Sequence, residues 1–187
     1  MKEKENILDI IIKSRKAIKE KDVFTLKKLS DRTVHVSSIY QDPDNIAVAV
    51  VIYSLAKLTE REKYKTLEGW ENYEKIFLNS LDNAVYHLKV DNLEMFRKDL
   101  IEIEESVEKL SGKLKLYIQS VFRKAHINKA SRIYEHGISQ AKAASILGIT
   151  VWELAEYAGT TGISDVDLSI TKSIKERLNI AEKMFTK

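Results

Sequence analysis

The stretch "SQAKAASILGITVWELAEYAG", residues 139–159, decides how the C-terminal part of this sequence folds. Its apolar residues recur at spacings of three and four on both sides of Gly148, which predicts two short helices joined by a turn. Ala144 falls where the two helices cross, and Gly148 falls where the turn often needs a positive φ. The pattern predicts a helix-turn-helix capped by Ser139, with an ordinary pair of short helices as the alternative. Four side chains are expected to face the core: Leu147, Ile149, Leu154 and Tyr157.

The remaining sequence repeats the same helical period over nearly its whole length. One proline and six glycines in 187 residues are too few for the many turns of a sandwich or barrel. The sequence therefore predicts an all-α fold. Helices are expected over residues 3–20, from Asp22, from Asp42, over 70–88, from Asp91 to 110 and, as a long basic helix with a kink near 126–128, over 113–137.

Residues 41–58, "QDPDNIAVAVVIYSLAKL", carry the most apolar run of the chain. Its β-branched residues would also suit a buried strand. Asp42 is placed to cap a helix and Pro43 to occupy its first position, and the length and alanines of the run favour a helix buried on all sides.

Two domains are predicted. Residues 1–126 form a helical bundle-like domain, and residues 127–187 form the helix-turn-helix unit plus a C-terminal amphipathic helix. That last helix has an apolar stripe made of Ile170, Ile174, Leu178, Ala181 and Phe185. We expect the stripe to pack on the N-terminal domain or on a second copy of the chain, so a homo-oligomer is one expected outcome. A helix continuous across the boundary would join the two domains into one body.

Several classes of function are excluded by composition. Cysteine is absent, which rules out disulfides, thiolate zinc sites and cysteine nucleophiles. No glycine-rich phosphate loop, HExxH or EF-hand pattern occurs, so no cofactor and no metal site is predicted. The longest apolar run, residues 46–56, is too short to span a bilayer, and no secretory signal is present. We expect a cytoplasmic protein that makes no membrane contact.

A short motif lies within residues 131–163. It has the form G-x-S-x-x-x-A-A-x-x-x-G-h-(S/T)-x-W-E-h, where h is an apolar residue, and is carried by Gly137, Ser139, Ala143, Ala144, Gly148, Thr150, Trp152 and Glu153. Over these residues the sequence resembles a family of small bacterial and archaeal antitoxin-like proteins, which are often encoded beside PIN-domain nuclease toxins. The resemblance implies a DNA-binding or antitoxin-like regulator with a toxin as its protein partner.

Charge decides which residues could contact duplex DNA. Affinity for DNA comes mainly from lysine and arginine contacts to phosphates, yet residues 150–159 hold two glutamates and no cation. Phosphate contacts would therefore have to come from nearby cations. Lys129, Arg132 and Lys142 are expected to contact phosphates, with Gln140, Thr150 and Trp152 as the polar and aromatic edge that faces the duplex.

Two functions stay open from sequence. The first is a helix-turn-helix regulator, DNA-binding or antitoxin-like, whose N-terminal domain serves oligomerisation or partner binding. The second is a protein-interaction module with a helix-turn-helix that no longer binds DNA. Residues 113–137 carry six bases and one acid, whereas residues 91–109 carry seven acids and three bases. The basic helix could follow a nucleic-acid backbone or pair with its acidic neighbour.

Catalysis is not predicted. The four histidines are scattered, and no catalytic residue can be named. A ribonuclease is the remote alternative: the pairs Arg32–His35 and Arg132–His136 come near the arginine–histidine pattern of ribonucleases in antitoxin-linked systems, but neither pair has its spacing.

Overall fold

The computed structural model describes residues 3–40 and 42–161, with the backbone alone described at 35–40. Within these residues it contains eight α-helices and no strand, which confirms the all-α prediction. Two short 3-10 segments, Glu62–Tyr64 and Ser106–Lys109, connect helices. The helices are α1 Lys4–Lys19, α2 Val23–Tyr40, α3 Pro43–Glu60, α4 Trp70–Lys89, α5 Leu93–Glu105, α6 Gly112–Glu135, α7 Gln140–Ile146 and α8 Val151–Thr161.

The apolar run of residues 41–58 forms α3, the most deeply buried helix. Asp42 caps it by accepting a hydrogen bond from the Asp44 amide, with Pro43 in the first helical position. The helix packs against α1, α2, α5 and α6, and apolar side chains on all of its faces are buried. Because no partner strand exists among the described residues, the run satisfies its backbone as a helix, as predicted.

Polar caps start α2, α3 and α7 where the sequence predicts them. The Asp22 carboxylate accepts from the Thr25 amide at 2.9 Å at the start of α2. The cap of α5 lies one residue after the position that the sequence predicts. Asn92, not Asp91, accepts from the Met95 amide at 3.1 Å, because Asp91 has a φ of 60° in the reversal that ends α4.

The expected domain boundary, between residues 126 and 127, falls inside α6. This helix runs without interruption from Gly112 to Glu135, with no break at 126–128, and packs against α2, α3, α7 and α8. One core of buried apolar side chains extends from Ile7 to Leu154. The N-terminal helices and the α7–α8 pair thus share one helix and one core in the part of the chain that the structure describes.

Two sequence predictions concern the remainder of the chain and the membrane. The predicted C-terminal helix lies outside the described residues, which end at Thr161. In the described part, no helix combines the length and the apolar composition that crossing a membrane would require.

Candidate functional site

The α7–α8 pair has the local geometry that its sequence predicts. The Ser139 hydroxyl accepts from the Lys142 amide at 3.3 Å and caps α7. Gly148 has a φ of 60°, and the next amide, of Ile149, bonds back to the Ala144 carbonyl at 3.1 Å. This pattern ends α7 in a left-handed turn that glycine adopts at little cost. Ala144 is buried at the close contact, as are Leu147, Ile149 and Leu154, whereas Tyr157 is partly exposed.

Thr150 and Glu153 start α8 by capping each other. The Thr150 hydroxyl accepts from the Glu153 amide at 3.2 Å. In return, the Glu153 carboxylate accepts from the Thr150 amide at 2.9 Å and from its hydroxyl at 2.8 Å. This is a capping box. Thr150 is exposed but already bonded, so its expected role at a base edge would compete with a structural one.

An arginine on α6 binds the same glutamate. The Arg123 guanidinium donates to both Glu153 oxygens, at 2.5 to 2.8 Å, and to the Gly148 carbonyl at 3.3 Å. The Arg123 hydrogen bonds, followed by those from Thr150, lower the pKa of Glu153 to about 2. Glu153 is one of the two glutamates that would repel DNA. Its negative charge is thus compensated within the protein by Arg123. The sequence does not reveal this contact, because its partners lie 30 residues apart.

His126 lies about one helical turn after Arg123 on α6. It contacts Leu147, the residue before Gly148 in the connection between α7 and α8. His126 Nδ1 lies 2.8 Å from the Leu147 carbonyl oxygen, and Nε2 lies 3.4 Å from Glu104 on α5. Both partners are acceptors, so only the protonated ring donates to both. Burial alone would lower the pKa of His126, but the hydrogen bonds to Glu104 and Leu147 outweigh it and raise the pKa.

Lys129 does not lie where the DNA hypothesis requires it. Its side chain is fully buried, and its ammonium donates to Asp31 on α2 at 3.0 Å and lies 4.3 Å from the centre of the Tyr53 ring. Burial lowers the pKa of Lys129, and Asp31 offsets part of that effect. The expected phosphate contact is therefore wrong for this residue: its face of α6 packs on α2 and α3, away from solvent.

The other predicted DNA contacts remain at or near the surface. Arg132 is about half exposed and donates to Glu135 at 2.8 Å. Lys142 is exposed on α7 and forms no ion pair within the described residues, and Gln140 is partly exposed. Of the three expected phosphate-binding cations, one is buried and one is paired with an acid.

Trp152 is the most exposed large apolar side chain of the described residues, with 85% of its surface accessible. It occupies the first turn of α8 beside Val151, which is 42% exposed. Ala155 and Glu156 follow at helical spacing and are exposed as well. We call these four residues the Trp152 patch. It combines an unburied indole, small apolar groups and one carboxylate.

The basic residues of α6 do not form a continuous cationic surface. Lys115 pairs with Glu108 at 2.8 Å, so the acidic and basic segments are paired in part, together with the His126–Glu104 contact. Lys113 and Lys124 are exposed and have no ion-pair partner in the described part of the chain. The charges of this helix are therefore divided between the core, the α8 contact and solvent.

The residues that the structure describes contain no group of three histidine, aspartate or glutamate side chains placed to hold a metal ion. Comparison with protein-family models, curated proteins and solved structures finds no match.

Proposed function

We propose that this chain is a protein-interaction module in which the α7–α8 pair binds a partner protein through the Trp152 patch. The exposed indole of Trp152 carries the proposal. Tryptophan is enriched among the residues that dominate binding energy at protein interfaces, where truncation costs about 2 kcal/mol or more. A side chain this large, left in water at the start of a well-capped helix, is explained by burial against a second protein.

Charge supports a protein partner over duplex DNA. Residues 150–159 offer no cation to a phosphate backbone, and Lys129 is buried. Glu156, in the patch itself, would repel phosphates. The same carboxylate favours a partner with an apolar pocket and a basic rim. The resemblance to antitoxin-like proteins gives one such partner, a toxin.

Photocrosslinking tests the proposal. A photoreactive phenylalanine analogue is placed at position 152 and, as a matched control, at Leu116, an apolar residue of α6 that is 68% exposed. In the native host, position 152 should give one dominant protein adduct that position 116 lacks. The purified partner should then bind the Trp152→Ala variant at least tenfold more weakly, a loss of about 1.4 kcal/mol. Equal adducts at both positions, or unchanged affinity, would refute the proposal.

DNA binding, the alternative, is tested in parallel. Titration of generic duplex DNA at several salt concentrations should show no binding at physiological salt. If DNA is bound instead, Arg132→Gln and Lys142→Gln should each lower the salt slope by roughly one unit. That result would restore the DNA-binding function.

A further inference from the structure

An open groove of about 690 Å³ runs along α6 between α3 and α8. Its floor reaches from Tyr117 to Asn128, which at about 1.5 Å per residue is roughly 16 Å. Its volume is within the range of small-molecule sites. We call it the tyrosine groove, because four tyrosines line it: Tyr53, Tyr64, Tyr117 and Tyr157.

Cations line the groove beside α3 and along α6. Arg61 follows the end of α3, and Lys124 projects from α6. Both are exposed, and neither forms an ion pair with a described residue. Lys57 adds a third cation, although it also pairs with Glu60 at 3.1 Å. These cations favour the binding of an anionic group. A phosphate would form strong charge-assisted hydrogen bonds to their guanidinium and ammonium groups.

The groove offers aromatic surface next to one of its cations. Tyr64 stacks on Tyr117 with ring centres 3.3 Å apart and planes 8° apart, so these two rings support each other. The Tyr117 hydroxyl is buried beside the Arg61 guanidinium. Burial raises the pKa of this hydroxyl, and the charge of Arg61 and its hydrogen bond to the hydroxyl offset part of the rise. Arg61 is thus held at the edge of the aromatic surface.

The α8 wall carries the opposite charge. Glu153 is bound by Arg123, whereas Glu156 has no ion pair or hydrogen bond to any residue in the described ranges. Next to it, the Tyr157 hydroxyl accepts from Asn128 at 3.0 Å, which fixes that ring. A free carboxylate beside an anchored ring would accept hydrogen bonds from an N–H donor on a planar ligand.

We propose that the tyrosine groove binds a nucleotide whose base carries an amino group. The phosphate binds Arg61 and Lys124, the base packs against Tyr157 and the apolar floor, and the base amino group donates to Glu156. A nucleotide joins these three features, an anion, a ring and a donor, in one molecule. This site goes beyond the proposed function and does not depend on it.

Isothermal titration of the chain with four ligands tests each feature in turn. AMP should bind. Ribose 5-phosphate, which lacks the ring, and adenosine, which lacks the phosphate, should each bind at least tenfold more weakly. Purine riboside 5′-monophosphate, which keeps the purine ring and lacks only the amino group, should lose about tenfold, the cost of one hydrogen bond to a charged group.

Variants assign the contacts. Arg61→Gln with Lys124→Gln should weaken AMP at least tenfold and leave adenosine unchanged, whereas Glu156→Ala should bring AMP close to purine riboside 5′-monophosphate. Lys113→Gln, which removes another exposed cation of α6 that lies outside the groove, is the matched control and should change nothing. No heat with any ligand at millimolar concentration would overturn the proposal. So would equal binding of AMP and ribose 5-phosphate, or unchanged AMP affinity in the double variant. Each of these outcomes leaves the crosslinking result at Trp152 unaffected.

Discussion

Replacing Asp31 by asparagine should destabilise this protein, because it leaves the buried Lys129 ammonium without a counter-charge. Removing one partner of a buried ion pair costs about 3–5 kcal/mol. Asp31 is 59% exposed, so water screens its side of the pair, and the Tyr53 ring 4.3 Å away keeps part of the stabilisation. We therefore expect a loss of about 2 kcal/mol, below the fully buried range. In a domain of this size that is a fall in Tm of roughly 4–8 °C.

The matched variants separate charge from packing. Lys129→Met removes the buried charge and keeps most of the volume, so it should change the free energy of unfolding by about 1 kcal/mol or less. The double variant, Asp31→Asn with Lys129→Met, should recover most of the stability that Asp31→Asn loses. Urea denaturation of the four proteins measures all three differences.

Alkaline pH gives an independent check on the same pair. Burial lowers the pKa of Lys129 in the folded chain, so the unfolded chain binds more protons between the folded pKa and the ordinary value of 10.5. Stability attributable to this group therefore rises with pH across that window. At neutral pH the free energy of unfolding of Asp31→Asn should be lower than that of the double variant. This difference should shrink as pH rises through that window. A deficit that is absent at neutral pH, or that grows with pH, would refute the reasoning.

Three further perturbations test the contacts around α8. His126 has a raised pKa, so its contribution is present below the ordinary value of 6.5 and is lost as pH rises through the folded pKa; the stability difference from His126→Gln, measured by urea denaturation, should be larger at pH 6 than at about pH 8. Arg123→Gln should raise the pKa of Glu153 from about 2 toward its ordinary value of 4.5, which carboxyl NMR titration measures; an unchanged pKa would contradict the pairing. Trp152→Ala should leave the free energy of unfolding within about 0.5 kcal/mol of the parent, and a larger loss in thermal or urea unfolding would place the indole in a structural role.

Local features of this fold were predictable from sequence because their causes are local. The cap at Asp42, the left-handed turn at Gly148 and the helical form of the apolar run in α3 each depend on residues within one or two helical turns. The misplaced cap at Asp91 shows the limit of that approach. Two adjacent residues that both favour caps cannot be ranked without the path of the preceding chain.

Contacts between distant segments were not predictable. A basic helix such as α6 does not reveal which of its cations is buried, and Lys129 enters the core because Asp31, 98 residues away, compensates its charge. The Arg123–Glu153 pair and the tyrosine groove arise in the same way, from helices that meet only in the folded chain. Trp152 was identified as a candidate from its position, but its exposure depends on how α8 is oriented by α6.

Two α6 side chains form hydrogen bonds to the turn before α8. They limit how the α7–α8 pair could be transferred to another protein. Arg123 and His126 donate to the successive carbonyls of Gly148 and Leu147, and neither residue lies in the stretch that resembles a helix-turn-helix. A chimaera that grafts residues 139–161 onto a foreign scaffold would leave both carbonyls and the Glu153 carboxylate without these donors. The smallest fragment that could be transferred to another protein must therefore include α6 and the Glu104 end of α5. Homology searches or engineering confined to the short motif would omit Arg123 and His126, the residues that fix the orientation of α8.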